Sequence, residues 1–61
     1  MKTTNQDFAA AKSAARKTLK ATGDTSAAHR AAMDVLAARR PAACLALVQD
    51  MGWQCVLAAR N

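Results

Sequence analysis

The sequence predicts a small all-α domain of three helices with a C-terminal extension. Alanine occupies 17 of the 61 positions, and alanine is the strongest helix former while adding little core volume. With one Phe, one Trp and no Tyr, large core residues are scarce. We therefore expect one domain over residues 1–61, completed by self-association as a homodimer, because chains this short bury too little surface to be very stable alone.

The first helix is predicted to span about residues 5–22. Its apolar residues recur at spacings of three and four, which places them on one face of a helix: Phe8, Ala11, Ala15 and Leu19. Thr4 and Asp7 resemble a capping box at the start. Gly23 is expected to end the helix in a left-handed conformation.

The second helix is predicted over about residues 25–40, with Asp24 favoured as N-cap over Thr25 or Ser26. The residues expected to face inward are Ala28, Ala31, Ala32, Val35 and Leu36. The residues expected to face water are His29, Arg30 and Asp34. Pro41 disfavours a helical conformation at the residue before it and is at home in a first helical turn, so we expect a third helix to begin there.

The third helix is predicted over about residues 41–51. It is apolar on almost every side, which is typical of a central element; its apolar residues are Cys44, Leu45, Leu47, Val48 and Met51. We expect Leu45 and Val48 to be buried so deeply that an aspartate at either position unfolds the domain.

Residues 53–59 are ambiguous between a strand and a continued helix. Period two places Trp53, Cys55 and Leu57 on one face of a short strand, and the run contains residues that favour strands. Period 3.6 instead continues the helix through the apolar residues at 48, 51, 55 and 59. The prediction that a break occurs at Gly52 is slightly favoured.

A basic ridge is the first candidate binding site. The net charge is +5, and four-residue spacing lines up Lys12, Arg16 and Lys20 on the first helix, with Lys17 beside them. We call these four residues the basic ridge. Like charges at this spacing repel by about 0.2–0.5 kcal/mol per pair, and no acid follows Asp7 on that helix to relieve them. The ridge, together with Arg39 and Arg40, is expected to bind an acidic protein face; phosphate contact and a merely solvated face are the alternatives.

An apolar cluster is the second candidate site. It comprises Met51, Trp53, Val56 and Leu57, which together with Leu45 and Val48 form either a hydrophobic interface or the core. Tryptophan is enriched at binding hot spots, but a single Trp in a chain poor in large residues also serves well as a core plug. The two interpretations merge if a second copy completes the core.

Sequence-specific DNA binding through a helix-turn-helix is disfavoured. The second helix of such a motif carries polar side chains that contact base edges. The segment after Pro41 instead begins Ala-Ala-Cys-Leu-Ala-Leu. Contact of the arginines with phosphate remains an alternative that carries no sequence choice.

No catalytic, metal or cofactor site is predicted. His29 has no nucleophile or carboxylate on its own face, and His29, Cys44 and Cys55 lack the spacing of zinc ligands. The polar first turn has no signal-peptide h-region, so we expect a cytoplasmic location, reduced cysteines within the core, and no membrane span. A disulfide, within the chain or between chains, is the alternative for the cysteines.

The predicted function is therefore binding rather than catalysis. The leading hypothesis is a small basic protein–protein interaction module. A modulator or inhibitor of a host protein that a phage or plasmid encodes would fit the size, charge and composition, although a GC-rich bacterial genome would encode the same alanine and arginine bias. The alternative is a nucleic-acid-binding accessory protein or transcriptional regulator that uses a basic helix face.

Overall fold

The protein is a bundle of three α-helices, as the composition predicts. The computed structural model describes the backbone of residues 2–60 and the side chains of residues 6–60. The helices are α1 (Lys2–Thr22), α2 (Thr25–Arg39) and α3 (Leu45–Arg60), and each packs against both of the others. Cys55 contacts the Phe8 carbonyl, and the last residues of α3 adjoin the last turns of α1. It follows that α1 and α3 run in the same direction, with α2 antiparallel to both.

The turn between α1 and α2 confirms the local signals in the sequence. Gly23 adopts φ = 71°, and its N–H donates to the Leu19 carbonyl at 2.8 Å, which is the αL form of helix termination. Asp24 is the N-cap of α2, where its Oδ1 accepts a hydrogen bond from the Ser26 N–H at 2.9 Å. Helix α1 begins earlier than predicted, at Lys2, so Thr4 does not mark its start. The side chain of Thr4 lies outside the described residues, and that of Asp7 contacts α2 instead of capping α1.

The second connection differs from the prediction because Pro41 belongs to a turn rather than to a helix. Helix α2 ends at Arg39, and the Ala43 N–H donates to the Arg40 carbonyl at 3.0 Å. Proline then occupies the second position of a four-residue turn, where its fixed φ is favourable. Helix α3 consequently begins at Leu45, four residues later than expected.

Helix α3 continues through Gly52 to Arg60, so the predicted break at Gly52 and the strand alternative are both wrong. Gly52 lies inside the helix and is buried. A Cβ on Gly52 would lie 2.9 Å from His29 Cδ2 and 3.0 Å from Met33 Cγ. The glycine therefore allows α2 side chains to approach the α3 backbone, and that packing offsets the cost of about 1 kcal/mol that glycine carries in a helix.

The core is built largely from alanine. The buried apolar residues are Ala11, Ala15, Ala28, Ala32, Leu36, Val48, Cys55 and Val56. Phe8 and Leu19 pack against them from α1 as half-buried residues, which confirms the predicted apolar face of the first helix. In α2, Ala31 and Val35 are also only half-buried. Small side chains let the helices pack closely, but they bury little apolar area, so the stability of a single copy is expected to be low.

The prediction that Leu45 is deeply buried is wrong, whereas the same prediction for Val48 is confirmed. Leu45 is 65% exposed and Leu47 is 42% exposed, whereas Val48 is only 5% exposed. Leu45 lies at the edge of an open cleft beside Met33 and Ala37 of α2, and Leu47 lines a second open cleft with Asp7 and Arg39, so both leucines stay accessible to solvent. Cys44 likewise lies exposed in the connection, while Cys55 is buried; both thiols are free.

Candidate functional site

The six predicted binding cations fall into two groups in the structure. Arg16, Lys17 and Lys20 are exposed on α1, and Lys12 is half-buried beside them. Arg39 and Arg40 lie at the other end of the bundle, at the end of α2 and in the turn that follows it. The basic ridge is therefore one continuous feature, and the two arginines are separate from it.

Arg39 makes an ion pair within the protein. Its Nη1 donates to Asp7 Oδ1 at 3.3 Å, which joins the end of α2 to the beginning of α1. The Asp7 residue is 8% exposed, and this is the sole ion pair found among the side chains of residues 6–60. Arg40 is half-buried and lines an open cleft with Pro41, Ala43 and Leu47.

Three residues of the basic ridge lie along the side of α1 that adjoins α3: Lys12, Arg16 and Lys20. Burial raises the pKa of the Cys55 thiol above its ordinary value, and the positive charge of Lys12 partly opposes this shift. Lys12 therefore lies on the side of α1 that faces Cys55. Arg16 and Lys20 lie one and two turns further along α1, where they flank the end of α3. Lys17 is rotated about 100° from Arg16 around the helix and projects into solvent.

Arg60 is a basic residue of this surface that sequence reasoning missed. Together with Arg16, Leu19, Lys20 and Ala59 it lines an open groove between the last turns of α1 and α3. Two observations could have identified it: short connections make the first and third helices of a bundle parallel, and cations are favoured in a last helical turn. Neither observation led to Arg60, because the predicted break at Gly52 ended the third helix before that residue.

The apolar cluster is divided between the core and the surface. Val56 is 1% exposed and belongs to the core with Val48, and Met51 packs against the core as a half-buried residue. Trp53 is 45% exposed and Leu57 is 56% exposed, one turn apart on the outside of α3. These two residues are available to a partner.

His29 does not simply face water, as the sequence suggested. Its ring stacks on Trp53 with centroids 4.0 Å apart and an interplanar angle of 13°. Its Nε2 lies 3.0 Å from the Gln49 carbonyl. His29 and Trp53 thus cover the α2–α3 contact at Gly52. No local pattern predicts this pairing, because the two residues are distant along the chain.

Two features bear on chemistry and on membranes. Within the described part of the chain, no three His, Cys or acidic side chains come together as a metal site. Between residues 2 and 60, none of the helices has both the length and the apolar character that a membrane crossing requires.

Comparison with protein-family models, with curated proteins and with solved structures finds no match for this chain.

Proposed function

We propose that this protein is a small binding module whose basic ridge receives an acidic face of a protein partner. The observation that carries the proposal is the arrangement of Lys12, Arg16, Lys17 and Lys20 on one side of α1, with none of them in an ion pair with a described residue. Mutual repulsion makes such a ridge slightly unfavourable for the isolated helix. An acidic partner removes that repulsion and forms charge-assisted hydrogen bonds.

The size and composition of the chain extend this proposal. The 17 alanines and frequent arginine of this 61-residue chain are what a GC-rich bacterial genome, or its phages and plasmids, would encode. We take the partner to be a host protein that the module modulates or inhibits.

Nucleic-acid binding is the second candidate, and the position of Arg60 favours it. Arg16, Lys20 and Arg60 approach one another from two helices, and such clusters neutralise phosphates. Readout of base edges has no support, because the exposed start of α3 consists of Leu45, Ala46 and Leu47. This candidate is therefore contact with the phosphate backbone alone.

A capture experiment with matched variants tests the proposal. The immobilised protein is exposed to host lysate with and without nuclease, and captured proteins are identified and purified for affinity measurements. Arg16→Gln and Arg30→Gln remove the same charge from the same residue type, each exposed on a helix. We expect an acidic partner whose capture survives nuclease treatment. Its affinity should fall at least several-fold with Arg16→Gln but not with Arg30→Gln, since a charge-assisted contact contributes about 1.5–3 kcal/mol.

A salt series separates the two candidates. Binding to duplex DNA weakens steeply as salt rises because counterions are released, whereas a packed protein interface responds less. Capture that nuclease abolishes, together with a steep salt dependence for a DNA duplex, would replace the proposed function by the second candidate. Equal affinities of the Arg16→Gln and Arg30→Gln variants for the purified partner would show that the ridge is only a solvated face.

A further inference from the structure

The groove at the ends of α1 and α3 combines an apolar floor with a cationic rim. Leu19 and Ala59 form the floor; both are half-buried and pack against the core. The rim consists of Arg16, Lys20 and Arg60, all of them exposed. The groove is open to solvent, with a volume of about 450 Å³.

The fold itself favours the concentration of positive charge at this end. The parallel orientation of α1 and α3 brings their C-terminal ends together, and the unpaired carbonyls of a last helical turn favour cations. No acidic residue lines the groove among the described residues. The acid of α3, Asp50, lies ten residues before Arg60 and accepts a hydrogen bond from Gln54 at 2.9 Å. An acidic occupant would therefore add the carboxylates that this groove lacks among its own side chains.

We propose that this groove binds an acidic amphipathic segment of the protein partner. One apolar side chain of the segment packs between Leu19 and Ala59, and its carboxylates receive hydrogen bonds from Arg16, Lys20 and Arg60. An amphipathic helix presents apolar and acidic residues side by side at spacings of three and four. Its apolar residues can therefore contact the floor while its acidic residues contact the rim. This inference rests on the proposed function and names the chemistry of the partner.

The floor is what favours a peptide over a nucleic acid. Phosphate groups have no apolar surface to cover Leu19 and Ala59, and bases stack on aromatic side chains. None of the described residues that line the groove is aromatic. An acidic segment with a leucine covers the floor through that leucine and neutralises the rim through its carboxylates. The two arginines of the rim can each hold a carboxylate in paired hydrogen bonds.

Fluorescence anisotropy with defined peptides tests the inference. The probes are a labelled helical peptide with leucine at every fourth position and glutamate between, and the same peptide with serine in place of leucine. We expect the leucine peptide to bind at least about tenfold more tightly, the order expected when one leucine leaves water. We expect Arg60→Glu to weaken binding by about tenfold or more, as for one lost charge-assisted contact.

The matched control is Arg30→Glu, which makes the same charge reversal on an exposed residue of α2. Its affinity should remain within about twofold of wild type because distant surface charges are screened. Circular dichroism of Arg60→Glu checks that the fold is retained.

Three outcomes would overturn the inference. Equal affinity for the two peptides, or no binding of either, would show that the floor binds no apolar group. Unchanged affinity of Arg60→Glu for the leucine peptide would show that the rim does not hold the carboxylates of the peptide. An unlabelled DNA duplex that displaces the leucine peptide and binds more tightly in the same buffer would assign the groove to phosphate. The proposed function fails separately, through the comparison of Arg16→Gln and Arg30→Gln with the captured partner.

Discussion

Gly52 is the residue at which local preference and tertiary packing conflict. In most helix interiors, replacing glycine with alanine stabilises the fold by about 1 kcal/mol. Here the new Cβ would lie 2.9 Å from His29 Cδ2 and 3.0 Å from both His29 Nε2 and Met33 Cγ. His29 would have to shift, which would disturb its stack on Trp53.

We expect Gly52→Ala to lower the stability of the protein by about 1 kcal/mol, because an overpacking cost of about 1–3 kcal/mol exceeds the gain of about 1 kcal/mol from alanine in a helix. In a His29→Ala background the same substitution should be less costly by about 1 kcal/mol, because residues in contact couple by roughly that amount. Urea unfolding of the four variants gives the coupling energy. Equal effects of Gly52→Ala in the two backgrounds would mean that His29 does not restrict this site.

The two cysteines should differ in reactivity. Cys44 is exposed and Cys55 is buried, so a thiol reagent should modify Cys44 in the folded protein and Cys55 only after unfolding. A stoichiometry of two thiols per chain before unfolding, with circular dichroism unchanged, would contradict the burial of Cys55. Sequence reasoning assigned both thiols to the core because composition does not show which part of an apolar segment forms a connection.

Burial of Cys55 also predicts a dependence of stability on pH. Desolvation raises the pKa of this thiol in the folded state, and the charge of Lys12 only partly opposes the shift. The folded chain therefore keeps its proton to higher pH than the unfolded chain does, so stability is constant at low pH and falls as the thiol of the unfolded chain ionises. Between about pH 8 and about pH 10, where free thiols ionise, wild type should lose stability relative to Cys55→Ala. A difference in melting temperature that does not change with pH would contradict this.

At the scale of the element, the start of α3 gives the sharpest test of the fold. Val48 is 5% exposed and Leu45 is 65% exposed, although both were expected in the core. Val48→Asp should unfold the domain, because burying an unpaired carboxylate costs several kcal/mol and a small domain has little more stability than that. Leu45→Asp should leave the domain folded, since Leu45 begins α3 and a negative charge is favourable in a first helical turn.

Circular dichroism and thermal melting of the two aspartate variants make the comparison direct. Loss of the cooperative transition in both variants would return Leu45 to the core and place the start of α3 nearer Pro41. A native melt of Val48→Asp would show that α3 does not pack as described.

At the scale of the whole molecule, the basic ridge should serve binding rather than stability. Replacing Lys12, Arg16 and Lys20 with glutamine removes mutual repulsion of about 0.2–0.5 kcal/mol per pair. The melting temperature should stay equal or rise slightly, while affinity for the purified partner should fall at least several-fold. A marked drop in melting temperature would assign these side chains a structural role, with the half-buried Lys12 as the first residue to test alone.

Self-association remains a prediction for the whole molecule. The alanine-rich core buries few large side chains, and Leu45, Trp53 and Leu57 leave apolar surface exposed on α3. We expect sedimentation equilibrium at micromolar concentration to give twice the monomer mass, and Trp53→Ser with Leu57→Ser to shift the protein toward monomer. A stable monomer with a high melting temperature would show that one copy is sufficient.

The sequence by itself determined the number of helices and the turn between the first two. Those features depend on signals that act within a few residues: the alanine content, the left-handed Gly23 and the Asp24 cap. The same signals misplaced the start of α3, because proline is favourable both in a turn and in a first helical turn.

Only the tertiary structure decided why Gly52 lies inside α3 and where Arg60 lies on the surface. A helical glycine is locally unfavourable, and only contact with His29 and Met33 from α2 shows why it remains inside α3. Continuation of that helix then carries Arg60 to the basic ridge, beside Arg16 and Lys20. The candidate site thus depends on contacts between residues about forty positions apart, and a local pattern holds no information about such contacts.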